Sequence, residues 1–173
     1  MASKISLVNI ALTRLGVEAI TSFEEDSKAA KSANIYYDPI IEDVLSQHHW
    51  NFATSRVELA LNSTSPAFEY TNAYTLPDDC LRVISLYEDE EYIIEGNSLL
   101  TNSETAKIIY IKKITNPLYF SAGFKNVVTW RLGAELAIPL TDSNTLNVNH
   151  FNLYEQALKE AKLYDLAESN NDS

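Results

Sequence analysis

The change of pattern that decides the fold falls at residues 50–53, which read Trp50-Asn51-Phe52-Ala53. Before this stretch, apolar residues recur every three or four positions, which is typical of amphipathic helices. After it, polar and apolar residues alternate, which is typical of half-buried strands. Helical spacing returns after residue 115. The sequence therefore predicts an α+β fold, a four-helix bundle with an antiparallel β-sheet inserted between helices two and three.

The length of 173 residues is typical of one domain with a single core. We expect the helical bundle to comprise residues 1–53 and 115–168, and the inserted β region residues 54–114. A mobile tail is expected at 169–173, because from residue 168 onward the chain has nothing apolar to bury. These residues are Glu168, Ser169, Asn170, Asn171, Asp172 and Ser173.

Capping residues and prolines set the expected helix limits. Ser3 can cap a first helix that ends before Gly16, and Asp26 or Ser27 can cap the second. Pro39 either kinks the second helix or ends it so that it restarts, since proline removes a backbone donor and crowds the preceding turn. Pro139 is expected to end the third helix, and Asn144 to cap the fourth.

Five segments of the middle region have strand character. Residues 56–61 alternate polar and apolar side chains, and residues 81–87 and 107–114 are rich in β-branched and aromatic residues. Residues 92–95 and 98–101 flank Gly96-Asn97, which predicts a hairpin with a tight turn.

The composition bounds the function. A net charge of −11 argues against direct binding to nucleic-acid phosphates. The single Cys80 cannot form an internal disulfide, so the fold needs no oxidising compartment. No signal peptide and no apolar run long enough to span a bilayer is visible, which predicts a soluble protein without a membrane partner.

No motif predicts catalysis, and no cofactor or metal is expected. Adjacent residues point about 100° apart on a helix, so His48-His49 would be poor joint ligands and are better explained as a helix end. The four acids at residues 88–91 lack the alternate ligands and the glycine of a calcium loop and fit a solvated loop tip. Asp78 and Asp79 beside Cys80 would raise the pKa of the thiol, the wrong direction for a nucleophile.

A junction between the bundle and the sheet is expected around two tryptophans and two short motifs. Trp50 can anchor the core there, and Asn51 can satisfy loose backbone groups. The residues expected at this junction are Trp50, Asn51, Phe52, Leu76, Pro77, Asp78 and Trp130.

A set of short motifs extends along nearly the whole chain, at residues 9–16, 20, 26–30, 37–39, 49–53, 74–83, 92–96, 99–101, 131–137, 139–140 and 154–158. In the order and spacing of these motifs, the chain resembles the phage tail tubular protein A family. The members of this family are the head-to-tail adaptors, or tail accessory factors, of short-tailed phages. One departure is His49, which stands where relatives often have a proline before the tryptophan.

The resemblance implies a structural role in the virion. It implies a homo-oligomeric ring, typically of twelve copies, beneath the portal protein, which extends the DNA channel and presents its far side to a tail nozzle protein. DNA would pass without specific binding, and the protein would be made in the host cytoplasm and located in the tail or neck. In several relatives the C-terminal region docks on the portal, so residues Glu168 to Ser173 form a candidate portal-docking tail.

Two other functions remain open at this point. A tail-associated cell-wall hydrolase would need two carboxyl groups in one cleft, and the 24 acids of the chain do not show which pair converges. A small module that binds a host protein through its sheet is the third possibility.

Overall fold

The computed structural model describes residues 3–169, which form two compact units. One unit, the helical unit, consists of Met1–Phe52 and Ile114–Ser173, as far as these are described, and the other, the strand unit, is Ala53–Lys113. The α+β class predicted from the sequence is confirmed.

Four helices build the helical unit. They are α1 (Lys4–Arg14), α2 (Lys28–Ser46), α3 (Ala122–Thr141) and α4 (Asn144–Ser169). Short 3-10 helices occur at Asn51–Ala53, Tyr87–Asp89 and Pro117–Tyr119. The backbones of α3 and α4 approach closely at Gly133, where an added Cβ would lie 2.6 Å from the His150 ring.

The first two helices begin at the residues that the sequence indicated. The hydroxyl of Ser3 accepts a hydrogen bond from the Ser6 amide, and that of Ser27 from the Ala30 amide. Gly16 has φ 71° after α1, as expected of a glycine that ends a helix. The chain remains helical through Pro39, so α2 neither breaks nor restarts there.

The later helix limits differ from the expectation at three places. Pro139 does not end α3, because a helix can accommodate a proline at the cost of one backbone hydrogen bond and some crowding of the preceding turn; α3 continues to Thr141 and is followed by its C-cap Asp142, where φ is 54°. Ser143 rather than Asn144 caps α4, since its hydroxyl accepts from the Leu146 amide at 3.1 Å. Ser169, where the tail was expected to begin, is instead the last residue of α4.

The strand unit contains two antiparallel sheets rather than the single sheet that was expected. The first sheet has the order β1-β7-β4 and the second β2-β3-β6-β5. The strands are β1 (Thr54–Glu58), β2 (Ala60–Leu61), β3 (Asn72–Thr75), β4 (Cys80–Leu86), β5 (Tyr92–Glu95), β6 (Ser98–Thr101) and β7 (Lys107–Lys112).

The alternating segment 56–61 belongs to both sheets. Its first part pairs with β7 and its last two residues pair with β3, with Leu59 between them. The predicted hairpin is confirmed, with β5 and β6 joined at Gly96, where φ is 57°. The strand β3 was not predicted, because residues 72–75 have neither the β-branched run of β7 nor the Gly-Asn turn that identified β5 and β6.

One core fills the space between the two sheets. The second sheet contributes Tyr74 and Leu99, and the first contributes Leu86, Ile108 and Tyr110. Since successive residues of a strand point to opposite faces, the neighbours of these residues face away from the core. The strand unit therefore has two outer faces, one on each sheet.

Candidate assembly surfaces

Trp50 is the centre of an aromatic cluster in the helical unit. Its side chain is fully buried, and its indole Nε1 donates to the Val44 carbonyl at 2.9 Å. Its ring lies 4.9 Å from that of His48, 6.1 Å from that of Phe52 and 5.2 Å from that of Phe124, between ring centroids. Trp50 is therefore a core anchor whose one polar atom is satisfied.

Asp165 ties the end of α4 to the segment that follows α2. Its carboxylate accepts from the Asn51 amide at 3.2 Å and lies 3.1 Å from His48 Nε2. The Asn51 side chain donates to the Asp165 carbonyl at 2.7 Å, and the Ser169 hydroxyl donates to Asn51 Oδ1 at 2.8 Å. The Asn51 side chain thus bonds one backbone carbonyl and one hydroxyl, both of α4.

The sequence analysis missed Asp165, although a signal was present. Asp165 continues the buried stripe of α4 at four-residue spacing after Ala157 and Ala161. It is only 6% exposed. An acid in register with an apolar stripe must find partners when it is buried, and here they are Asn51 and His48.

Burial lowers the pKa of His48 below its ordinary value, because enclosure disfavours the charged imidazolium. The nearby Asp165 carboxylate acts in the opposite direction without reversing the shift. His48 lies beyond the end of α2, stacked at 6.5 Å on the exposed His49. In the structure His48 packs against Trp50 and shares a hydrogen bond with Asp165.

Trp130 lies in a different cluster of the helical unit. The Arg14 guanidinium is 3.6 Å from the centre of its ring, and the His150 ring is 5.4 Å away. Arg14 also donates to the Thr129 hydroxyl at 2.8 Å. The structure therefore does not bring the two tryptophans into one cluster.

Leu76, Pro77 and Asp78 form the turn between β3 and β4. Leu76 is buried in the core of the strand unit, and its amide donates to the Asn97 carbonyl at 3.0 Å. The Cys80 amide donates to the Pro77 carbonyl at 2.9 Å and closes the turn, and Asp78 is exposed. Their assignment to a junction between bundle and sheet stays a prediction.

Residues with potential chemistry are dispersed. Within residues 3–169, no three of the His, Cys, Asp and Glu side chains converge to hold a metal ion. Burial, with a smaller contribution from Asp79, raises the pKa of the Cys80 thiol, in the predicted direction. No helix in the same range is both long and apolar enough to cross a membrane.

The four acids at residues 88–91 occupy an exposed loop between β4 and β5, as predicted. Glu88 and Asp89 have φ of 65° and 54°. The loop therefore holds two consecutive residues in a left-handed conformation that keeps the acids in solvent.

Both units expose large apolar side chains. In the helical unit, Tyr164 is 76% exposed, and Leu163 and Leu166 are exposed beside it on α4. In the strand unit, Phe68 is 80% exposed and Tyr87 is 64% exposed. Clusters of exposed apolar residues mark surfaces that partner proteins cover, whereas single ones are common on any protein.

The comparison with protein families identifies the class of assembly. A family model described as tail tubular protein matches residues 5–127. The chain belongs to the tail tubular protein family. The match extends from α1 into α3 and includes both Trp50 and the turn at residues 76–80. Among curated proteins, none matches the chain.

Membership of the tail tubular family makes this chain a phage tail structural protein. The resemblance to this family that the motifs indicated is confirmed. The family match ends before α4, so the exposed apolar residues of that helix lie outside the matched segment.

Proposed function

We propose that this tail tubular protein forms a head-to-tail connector ring between the portal protein and the tail nozzle protein. The ring is a homo-oligomer of twelve copies that extends the DNA channel. The observation that carries the proposal is the family match over residues 5–127. The exposed apolar side chains on both units support it, because an assembly would remove them from water.

The charge of the chain suits such a channel. With 24 acids against 13 Lys and Arg, copies repel each other until a partner holds them together. A basic lining would retain DNA through its phosphates, whereas an acidic lining lets it pass. We therefore expect the bore of the ring to be predominantly acidic, and a ring structure with a channel lined by Lys and Arg would contradict this.

The candidate portal-docking segment remains part of the proposal. It comprises Glu168 to Ser173, of which Glu168 and Ser169 end α4. Residues 170–173 lie outside the described residues.

The experiment is to mix the purified chain with its portal protein and measure the mass of the complexes by native mass spectrometry. The expected result is a monomer when the chain is alone, and a complex of one portal ring with twelve copies when both are present. The absence of any high-order complex, over a range of salt concentrations, would overturn the proposal.

No observation favours the two other functions. A cell-wall hydrolase needs a carboxyl group with a raised pKa as its acid. A lysis-zone assay on peptidoglycan separates a hydrolase from a connector, because a connector leaves the substrate intact.

A further inference from the structure

Phe68 is the most exposed large apolar residue that the structure describes. It lies in the loop of residues 62–71 between β2 and β3, and 80% of its surface is accessible. The next residue, Glu69, has φ 72°, which is uncommon for a residue other than glycine. Most of this apolar residue therefore stays in contact with water in the isolated chain.

Hydrogen bonds hold this loop in place. The Thr71 amide donates to Asn102 Oδ1 at 3.0 Å, and the Thr75 hydroxyl donates to Asn62 Oδ1 at 2.6 Å. At the tip, the Tyr70 amide donates to the Phe68 carbonyl at 2.9 Å. Phe68 is therefore presented by an ordered loop, and preorganisation lowers the entropic cost of binding.

The loop lies on the outer face of the second sheet. Ala73, Leu100 and Ile93 share one face by register, and they alternate with the core residues Tyr74 and Leu99. The loop lies over this outer face and borders an open hollow of about 340 Å³ that these three residues also line. Phe68 thus projects on the side of the unit that faces away from the first sheet.

A hollow of about 420 Å³ lies on the first sheet. Register pairs Arg56 with Ile109 and Glu58 with Lys107, which places these four side chains on the outer face of that sheet. Tyr87 completes the rim, with Lys107 Nζ 5.9 Å from its ring centre. We call this the Tyr87 hollow.

We propose that Phe68 of one copy inserts into the Tyr87 hollow of a second copy of this chain. The proposal rests on the proposed ring and names a contact that would build it. Ile109 and Tyr87 offer apolar surface to the phenyl ring. Arg56 and Lys107 offer two cations, against the single acid Glu58, to the Glu69 that accompanies Phe68.

The position of the two surfaces determines what they can build. They lie on opposite outer faces of the strand unit, so one copy cannot use both with the same neighbour. A contact between two different surfaces is heterologous, and it produces a closed ring when the rotation between copies closes. This is the type of contact that a homo-oligomeric connector needs.

The first experiment disables each surface separately in the full chain. Phe68→Asp removes the inserted side chain, and Tyr87→Asp combined with Arg56→Glu disables the hollow. Each variant alone is expected to form no ring with portal, whereas the mixture of both variants at high protein concentration forms a heterodimer through the one intact pair of surfaces. Phe68→Leu is the matched control and is expected to retain assembly, while Phe68→Asp weakens pairwise association at least about 30-fold, as expected for loss of an aromatic anchor.

The second experiment locates the contact directly. A photo-crosslinking phenylalanine analogue at position 68 is expected to form a bond to the segments around residues 56–58, 87 or 107–109 of another copy. It is tested on the chain with portal and on the chain alone at high concentration. Circular dichroism melts establish that each variant is folded.

The outcomes separate this inference from the proposed function. If wild type forms a ring and Phe68→Asp also assembles, this inference is overturned and the connector proposal stands. The same holds if the crosslink from position 68 maps elsewhere. A wild-type chain that forms no oligomer under either condition overturns both. A crosslink to the Tyr87 hollow together with the heterodimer in the mixed sample supports this inference.

Discussion

At the residue scale, Trp50 has the largest fully buried side chain of the protein, and its loss can be measured. Trp50→Ala is expected to lower the free energy of unfolding by roughly 3–5 kcal/mol, because it leaves a cavity among Phe52, Phe124 and His48. Chemical denaturation followed by circular dichroism gives the value. Tyr164→Ala, at an exposed position, is the control and should change it by less than about 0.5 kcal/mol. An unchanged midpoint for Trp50→Ala would contradict the burial.

His48 should make stability depend on pH. Its pKa in the folded chain is lowered by burial, so the unfolded chain takes up the proton first as the pH falls. This part of the stability is present above the ordinary pKa of about 6.5 and is lost as the pH falls below it. Wild type is therefore expected to lose stability between pH 7 and pH 5, and His48→Gln is expected to lose less.

The control for this prediction is the neighbouring histidine. His49 is exposed, so His49→Gln should retain the pH dependence of wild type. Denaturation curves for the three proteins at several pH values provide the measurement. A difference between wild type and His48→Gln that stays constant with pH would refute the role of His48.

At the element scale, α3 and α4 approach so closely that one methyl group should separate them. A Cβ at position 133 would lie 2.6 Å from His150 Cδ2, and His150 is buried. Gly133→Ala is expected to destabilise the helical unit by about 1–3 kcal/mol, the usual cost of overpacking, although alanine favours the helix itself. Thermal or chemical denaturation of the full chain measures this.

The double variant tests the cause. In a background with His150→Ala, the clash is absent, and Gly133→Ala should become neutral or stabilising because of helix propensity. A cost that persists in this background would show that the ring of His150 is not the obstacle.

The elements also show what the sequence could predict. Local signals were sufficient for α1 and the β5-β6 hairpin, because a capping serine and a glycine with positive φ act within a few residues. The segment 56–61 passes from the first sheet to the second at Leu59, because its first part pairs with β7 and its last two residues pair with β3. Both partners are distant in sequence, so alternation alone predicted one continuous strand. The helical state of Ser169 was missed for a similar reason, since the Ser169 hydroxyl donates to Asn51, which is distant in sequence.

The candidate surfaces were predicted less well than the elements. An aromatic and an amide at a change of pattern suit an anchor, which is why Trp50 and Asn51 could be selected; in the structure Trp50 donates to the Val44 carbonyl and Asn51 to the Asp165 carbonyl. Phe68 could not be selected, because the sequence does not reveal whether an aromatic in a polar loop folds inward. Its exposure follows from how residues 62–71 lie on the second sheet.

At the scale of the whole molecule, the net charge of −11 predicts how the chain treats DNA. The isolated chain should not bind duplex DNA at low salt, because no counterions would be released from the phosphates. Fluorescence anisotropy of a labelled duplex measures this, and a basic DNA-binding protein serves as positive control. Binding that weakens steeply with salt would reveal a cationic surface and contradict the acidic channel.

The C-terminal end links the single chain to the assembly. The proposed docking segment can be divided at Ser169, because Glu168 and Ser169 are helical and the Ser169 hydroxyl bonds Asn51 at 2.8 Å. Deletion of residues 170–173 should leave the melting temperature unchanged and reduce binding to portal. Deletion of residues 168–173 should reduce binding equally and also cost about 1 kcal/mol of stability, the typical value of a lost hydrogen bond.

Melting curves and portal binding of the two truncated chains are measured together. Each copy contributes only a short segment, so the deletion lowers the portal affinity of a single copy only slightly. In a ring, the small losses of all copies combine through avidity. The deletion of residues 170–173 should therefore affect an assembled ring more than a single copy binding to immobilised portal. If this truncated chain binds portal as wild type does, the segment is not the contact, and the exposed Leu163 and Tyr164 of α4 become the surface to test next.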